Sequence, residues 1–546
     1  MEVNLADLFT QVADAVPPDR ECIVRPDLRL TYRDVAERTR RLANVLVDHG
    51  FEVRSERSSL ANHESGQDHL ALYLYNGNEY LEGMLGAYEA RAVPFNVNYR
   101  YVAEELEYLL SDAGARGVVY HASFAPVLAE VRDRLPALDL LLQVDDGSGN
   151  DLLPGALDYE EALAASSPER PDLDRPPDDL YMLYTGGTTG APKGVIWRQD
   201  DIWVAALGGT DLTTQTQRQS LDEVLEEAAN GGARGLPAPP FMHGAAHWAA
   251  FVWFTRGDTI VLPGSVRHLD AADVLSTIER ESVSTLLIVG DAFGGPLADE
   301  LETGDYDLGS LVAIVSGGAP LHAALKDRIL ARVPNALVVD GLGASETGGQ
   351  AAQVSAAGAA ASTGSFSPGP NTFVLSEDLT RILQPGDGEM GWLAQTGRLP
   401  LGYLGDADKT ARTFPVVDDV RCAVPGDRAR VAANGDLELF GRDSVTVNSG
   451  GEKIFVEEVE KALRHHPDVL DTTVCGRPSE RWGSEVVAIV RLREGAERDE
   501  ASLLAEAGNH LARFKLPKAF VFVDEITRSP SGKADYRWAS EVAVAG

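Results

Sequence analysis

From Leu30 to about Asp340, short apolar runs of strand length alternate with segments of helical period, and this alternation limits the chain to layered α/β architectures. Leu70-Ala71-Leu72-Tyr73-Leu74 and Gly117-Val118-Val119-Tyr120 have the length and composition of strands. Between and before them, Val35, Leu42, Val45, Leu46 and Val47 recur near helical period over Ala36 to His49, ending at Gly50, and a second helical pattern spans Glu79 to Arg91. Strands separated by helices predict a mostly parallel sheet with covered faces. The polar, aperiodic stretch from Glu52 to Asp68 reads as a mobile surface loop. Pro168 to Asp179 reads as a proline-rich connection.

Two changes of texture follow. From Ser362 to Leu439 the chain breaks into short β-like pieces punctuated by Gly, Pro and Asp, which predicts a small sheet or barrel-like subdomain. Beyond Gly441-Arg442-Asp443-Ser444 it switches to an amphipathic helix over Val456 to His466, strands at Asp471 to Cys475 and Val486 to Leu492, and a helix over Glu500 to Phe514. The expected organisation is a large N-terminal domain over residues 1–441, a hinge at 442–444, and a small mobile α+β C-terminal domain over 445–546. At 546 residues the chain exceeds what one hydrophobic core sustains, as this division requires.

Charge narrows the partners. With 48 Lys+Arg against 84 Asp+Glu, the formal net charge of −36 repels nucleic acid and anionic membrane surfaces. No apolar run reaches the length of a spanning helix, and Met1 to Asp7 carries two acids and no secretion-type run, so a cytoplasmic enzyme outside the membrane is expected. Cys22, Cys422 and Cys475 lack CxxC spacing and read as small packed residues. Any anion site in so acidic a chain must be built locally from backbone N–H groups, a few cations and a metal ion.

Such a site is written at Tyr184-Thr185-Gly186-Gly187-Thr188-Thr189-Gly190-Ala191-Pro192-Lys193-Gly194-Val195, after a strand-like Leu180 to Leu183. Glycines turn backbone N–H groups inward, threonine hydroxyls add donors and Lys193 adds a positive charge, which together suit a polyphosphate. The pattern is not the Gly-Lys-Ser/Thr loop that opens a helix, because Pro192 precedes the lysine and Gly194 follows it. In Asp340-Gly341-Leu342-Gly343-Ala344-Ser345-Glu346-Thr347, glycines let a planar base approach the backbone, while Ser345 and Glu346 offer a hydroxyl and a carboxylate to phosphate and Mg²⁺. Asp427 of Pro425-Gly426-Asp427 has two acceptor oxygens for a vicinal diol, although Gly-Asp alone is an ordinary turn. His243 and His247 are spaced for one helix face, yet no HExxH or further ligand accompanies them, which disfavours zinc.

These motifs, in this order and over essentially the whole chain, resemble the adenylate-forming superfamily of acyl-CoA synthetases, luciferases and peptide-synthetase adenylation domains. The stretch Ala90 to Tyr101 and the variant Thr185-Gly186-Gly187 look like the actinobacterial group that handles long-chain or steroid side-chain acids. The resemblance implies ATP held by Thr185 to Gly190 and Lys193, adenine bordered by Gly317-Gly318-Ala319-Pro320 and Gly341-Leu342-Gly343, and the α-phosphate contacted by Ser345. It implies Mg²⁺ placed by Glu346, and ribose held by Asp427 and Arg442. Leu342 stands where the family usually carries an aromatic, so it offers only apolar contact to adenine. Pro240-Phe241-Met242-His243 matches a segment between acyl pocket and nucleotide, which makes His243 and Trp248 pocket candidates; Phe251, Val252, Trp253 and Phe254 read as mostly core.

By the same resemblance, Gly450, Gly451 and Lys453 line the path of coenzyme A. Asp443 and Ser444 form the hinge, with Ser444 where the family keeps Asp or Lys. Lys533 of Ser531-Gly532-Lys533 bridges carboxylate and α-phosphate during adenylation, so that Lys533, Glu346 and Thr185 carry the first step. Glu457, Glu458 and Glu460 read as a solvated helix start. The implied activity is ATP-dependent acyl-CoA synthesis through an acyl-adenylate, in a chain able to form a homodimer. A carrier-loading acyl-AMP ligase, a luciferase-like oxygenase and a non-catalytic nucleotide- or acyl-binding protein are the alternatives.

Overall fold

The computed structural model describes residues 1–546 except 188–189, 212–214, 360–361, 443–444, 450–451, 480–482, 512 and 529–532. The chain forms two compact units: Met1–Thr185, Pro192–Thr363 and Thr396–Phe414 make one, and Gly186–Ala191, Gly364–Gln395 and Pro415–Gly546 make the other.

The first unit contains the expected covered parallel sheets. One row runs Gly348–Ala356, Leu337–Ala344, Ala313–Gly317, Thr285–Ile288, Arg234–Pro237, Thr259–Val261, Glu21–Arg25, Leu28–Thr31, parallel throughout except at its two end strands. A second sheet, Val93–Asn96, His69–Tyr73, Ala115–His121, Leu140–Val144 and Leu157–Asp158, is parallel throughout. All its strands but the short Leu157–Asp158 are buried on both faces, which explains why they read as continuous apolar runs rather than alternations. Some helices start at side-chain caps. Before Tyr32–Asp48, Thr31 Oγ1 accepts from the Asp34 N–H (3.2 Å) while Asp34 Oδ2 accepts from the Thr31 N–H (2.8 Å), a reciprocal capping box.

The helix Asn78–Glu89 is buried along all twelve residues, acids included. Each acid meets an arginine from a distant part of the chain: Glu82 pairs with Arg38 at 2.7 Å, Glu89 with Arg170 at 2.7 Å and Arg175 at 3.3 Å, and Glu79 with Arg25 at 3.6 Å. The stretch Glu52 to Asp68 differs from the expected mobile loop. Arg91 clamps Glu56 and Asp179 (2.9 Å each), Arg57 donates to the Glu64 carbonyl (2.6 Å), and the Gly405 N–H donates to the His63 carbonyl (2.8 Å). A loop packed by its own side chains in this way is ordered despite its polarity. Asp179 and Arg170 also tie down the Pro168 to Asp179 connection.

In the second unit, Thr372–Leu375, Met390–Gln395, Asp427–Val431, Leu437–Arg442 and Ser365–Pro368 lie side by side in antiparallel order. The expected barrel-like subdomain is an open row among the described residues, because the strands at its two ends, Thr372–Leu375 and Ser365–Pro368, do not pair with each other. The C-terminal sheet orders Glu452–Ile454, Val447–Ser449, Gly483–Leu492 and Val469–Ser479, with Ala519–Phe522 parallel to Gly483–Leu492. Val456–Leu463 and Glu500–His510 contribute Val459, Leu463, Leu503 and Ala507 to its core. Among the described residues, no helix is long and apolar enough to cross a membrane.

Candidate active site

The glycine/threonine loop joins two hydrogen-bonded strands, Leu180–Gly187 and Gly190–Arg198, so Lys193 sits within a strand rather than at a helix N-terminus. Thr188 and Thr189 lie outside the described residues. The approach to Thr185 is held by the buried Asn96. Its Oδ1 accepts from the Tyr184 N–H (2.7 Å), and its amide donates to the carbonyls of Tyr184 (2.8 Å) and Met242 (2.7 Å). One side chain thereby fixes the strand leading into the loop against Pro240–His243.

Lys193 faces Asp112 at 3.7 Å, and Asp112 in turn accepts from the Tyr184 hydroxyl (2.8 Å). Burial works against the charged ammonium, but Asp112, then Tyr108 and Asp406, hold its pKa above the usual lysine value. A permanent cation therefore stands beside the loop.

Leu337–Ala344 and Gly348–Ala356 are joined by a tight turn that presents Ser345 and Glu346. The Thr347 N–H donates to the Ala344 carbonyl (3.0 Å), and the Ala344 N–H donates to Thr347 Oγ1 (3.1 Å). A Cβ at Gly343 would stand 2.4 Å from the Gly348 carbonyl oxygen, so only glycine permits this close approach. Two contacts fasten the turn to the strand that carries Lys193. The Trp197 indole donates to the Ser345 carbonyl (3.0 Å), and the Tyr403 hydroxyl donates to Glu346 Oε1 (2.7 Å). Gly402–Tyr403 is itself laid on that strand, in register with Ile196 and Val195.

Gly317 and Gly341 lie side by side at the carboxyl ends of neighbouring parallel strands, the edge at which open α/β sheets bind ligands. Gly318 takes a left-handed conformation (φ 85°). The run through Ala319 and Pro320 is pinned by the Asp291 N–H, which donates to the Pro320 carbonyl (3.0 Å), and by Ser316 Oγ, which accepts from the Gly290 N–H (3.1 Å). Leu342 is half-buried and pairs with Ala351. Beneath this edge, the buried Lys326 forms an ion pair with Asp340 and donates to the Ser362 carbonyl (2.7 Å).

His243 precedes the helix Gly244–Thr255, while His247 lies inside it and is buried. His247 Nδ1–H donates to the Phe241 carbonyl (2.8 Å) and Nε2 accepts from the Tyr181 hydroxyl, so both ring nitrogens are engaged. Burial pushes its pKa down to about 4 and keeps the ring neutral. The half-buried Trp248 donates to the same hydroxyl (2.7 Å), whereas Phe251, Trp253 and Phe254 are buried.

In the second unit, Asp427 and Arg442 are register partners across adjacent strands. Lys533 is exposed and immediately precedes Ala534, which bridges Arg528. Lys453 falls in the strand Glu452–Ile454, paired with Asn448. Asp443, Ser444, Gly450 and Gly451 lie outside the described residues, as do the side chains of Arg442 and Lys453. The three acids beginning Val456–Leu463 are not a solvated helix start. Glu460 accepts from the Val474 N–H (2.8 Å) and burial raises its pKa to about 7, Glu458 pairs with Lys515, and Glu457 lies against Gly441.

Sequence reasoning did not single out Asn96, Asp112 or Tyr403 for these roles; each acts through a partner far away in sequence, and no local pattern marks such a pairing. The hard oxygen donors of Ser345 and Glu346 at a half-buried turn fit a magnesium ion in their chemistry.

A glycine-edged parallel sheet, a strand-borne lysine beside a glycine/threonine loop, and a carboxylate turn tied to that strand define a nucleotide-binding enzyme of the adenylate-forming fold. The chain belongs to the AMP-binding enzyme family, which matches residues 9–398, and the family's C-terminal domain matches residues 458–533. It is 56% identical over 536 residues, covering 98% of this chain and 97% of the relative, to the medium-chain acyl-CoA ligase Mig of Mycobacterium avium. It is 38% identical over 551 residues, covering 99% of this chain and 96% of the relative, to a 3-oxocholest-4-en-26-oate–CoA ligase of Rhodococcus rhodochrous. ATP-bound MatB from Rhodopseudomonas palustris shares the fold, with a TM-score of 0.80 at 24% identity and 99% coverage of both chains.

Proposed function

We propose that this chain is an AMP-forming acyl-CoA synthetase acting on an acid with an extended apolar tail, of the medium- to long-chain or steroid side-chain class. The observation that carries the reading is the fastening of the Ser345–Glu346 turn to the strand bearing Lys193, through Trp197 and Tyr403. It brings a metal-suited carboxylate to the strand that carries the Lys193 cation. The names of the two acyl-CoA ligases described above support the acid class and the thiol acceptor.

In this reading Lys193 and the backbone N–H groups of the glycine/threonine loop hold the polyphosphate, and Gly317 and Gly341 let adenine approach the sheet edge. Asp427 accepts from the ribose hydroxyls. Glu346, oriented by Tyr403, would hold Mg²⁺, which when bound neutralises phosphate charge. Lys533 offsets the repulsion between the substrate carboxylate and the α-phosphate, an interaction strongest as the two anions meet. The carboxylate oxygen bonds to the α-phosphorus as pyrophosphate leaves; the sulfur of CoA then attacks the acyl carbonyl and AMP leaves. The domain boundary at 442–444 is the pivot between the two steps, bringing Gly450, Gly451 and Lys453 to the CoA path, and the cytoplasm supplies both co-substrates.

The test is a panel of acids from short to sterol-derived, scored for acid-dependent pyrophosphate release and for thioester formed with free CoA. Turnover concentrated on medium-chain, long-chain or sterol-derived acids with CoA as acceptor is expected. Acid-independent nucleotide binding without pyrophosphate release would overturn the enzyme reading, and adenylate formed without thioester would favour a carrier-loading ligase.

A further inference from the structure

The exposed Lys533 stands next to a bridge that is fixed from both sides. On one side Arg528 forks onto Asp471, with Nε to Oδ2 at 2.9 Å and an Nη to Oδ1 at 2.6 Å, the bidentate geometry that fixes direction as well as distance. On the other side Ala534 bridges back to Arg528 in antiparallel fashion. Asp535 then caps the helix Tyr536–Ala545, accepting from the N–H groups of Arg537 (3.1 Å) and Trp538 (3.0 Å). Lys533 sits one residue before Ala534, next to these contacts.

Asp471 is placed for this by an irregularity. The strand Val469–Ser479 pairs with Gly483–Leu492 residue for residue from Asp471 onward, but the register shifts between Val469 and Asp471. The extra residue, Leu470, is 42% exposed. A bulge re-aims the side chains that follow it, and here the strand presents Asp471 to Arg528 rather than continuing the regular alternation. Arg464 of the segment after Val456–Leu463 also meets Asp471 Oδ1 (3.1 Å) and donates to the Thr472 carbonyl (3.1 Å), so a second arginine holds the same acceptor. All three side chains are mostly shielded, at 15% to 21% exposure, where an ion pair is less screened than on open surface.

We infer that Asp471 is a positioning residue for adenylation: through Arg528 and its bridge to Ala534 it aims Lys533. The inference rests on the proposed role of Lys533 and adds a residue about sixty positions upstream that no motif marks. It separates the two half-reactions, because aiming Lys533 matters when carboxylate meets α-phosphate and is irrelevant once the adenylate exists.

The experiment measures both half-reactions on the full-length enzyme for wild type, Lys533→Ala, Asp471→Asn, Arg528→Gln and the Asp471→Asn/Arg528→Gln double variant. Acid-dependent pyrophosphate release reports the first half-reaction, and thioester formation from supplied acyl-AMP and CoA reports the second. With a charge-assisted pair removed, Asp471→Asn is expected to lower adenylation about tenfold while thioester formation stays within about twofold of wild type. Arg528→Gln should do the same, and the double variant should be no worse than either single one, as for two residues acting through one contact. Equal losses in both half-reactions, no loss in either, or fully multiplicative effects in the double variant would overturn the inference. If Asp471→Asn does not fold, Arg528→Gln carries the comparison. Should Lys533→Ala itself spare adenylation, the role of Lys533 fails first, and the two failures are told apart.

Discussion

Tyr403→Phe removes one hydroxyl and leaves the rest of the site in place. The ring is 2% exposed, packs against Phe414 with centroids 6.1 Å apart, and lies 3.9 Å below the Lys409 ammonium; none of these contacts needs the oxygen. Backbone pairing of Gly402–Tyr403 with Ile196 and Val195 is likewise unaffected. What is lost is the 2.7 Å hydrogen bond to Glu346 Oε1. A hydrogen bond to a charged group contributes about 1.5–3 kcal/mol, and because Glu346 is half-exposed water replaces part of it, leaving about 1.5 kcal/mol. If that bond orients the carboxylate for the first step, acid-dependent pyrophosphate release falls roughly tenfold. Folding stability should change by under about 1 kcal/mol, since the carboxylate regains water. The assay pairs single-turnover pyrophosphate release with calorimetric titration of ATP, once with Mg²⁺ and once with chelator. Affinity should weaken in the presence of Mg²⁺ and hold in its absence. Wild-type release by a correctly folded Tyr403→Phe enzyme, or an equal loss of affinity with and without the metal, would refute the role assigned to this contact.

Asn96→Ala strips partners from two buried carbonyls and one N–H, and is expected to destabilise the first unit by about 2–4 kcal/mol, read as a lowered thermal midpoint, with weakened ATP affinity because the approach to Thr185 loosens. Glu79 carries a pH signature: burial, then repulsion from Glu82, raises its pKa from 4.5 to about 7. The unfolded chain releases this proton near pH 4.5 while the folded one retains it to about 7, so its contribution to stability is present below pH 4.5 and is lost as pH rises to 7, by about 3 kcal/mol. Glu79→Gln should therefore melt higher than wild type at pH 7.5, with the gap narrowing toward pH 5; a gap independent of pH would contradict the assignment.

The alternation of strands and helices, the change of texture from residue 362, and the motifs at Thr185–Lys193, Gly317–Pro320, Gly341–Glu346 and Asp427 are all legible in residue order. Each is carried by neighbouring residues: apolar period, caps such as Thr31 and Asp34, and glycines where backbone must approach backbone. Helix Asn78–Glu89 shows where that legibility ended. Its helical pattern is local, but the burial of its acids rests on Arg25, Arg38, Arg170 and Arg175, which arrive from elsewhere. The polar stretch Glu52 to Asp68 was misread for the same reason, its order coming partly from Arg91 and the Gly405 N–H. Folding alone brings Tyr403 to Glu346, Asp112 to Lys193 and Asp471 to Arg528. Periodicity and propensity are local quantities, whereas the burial of a charge depends on a partner that folding brings from tens or hundreds of residues away.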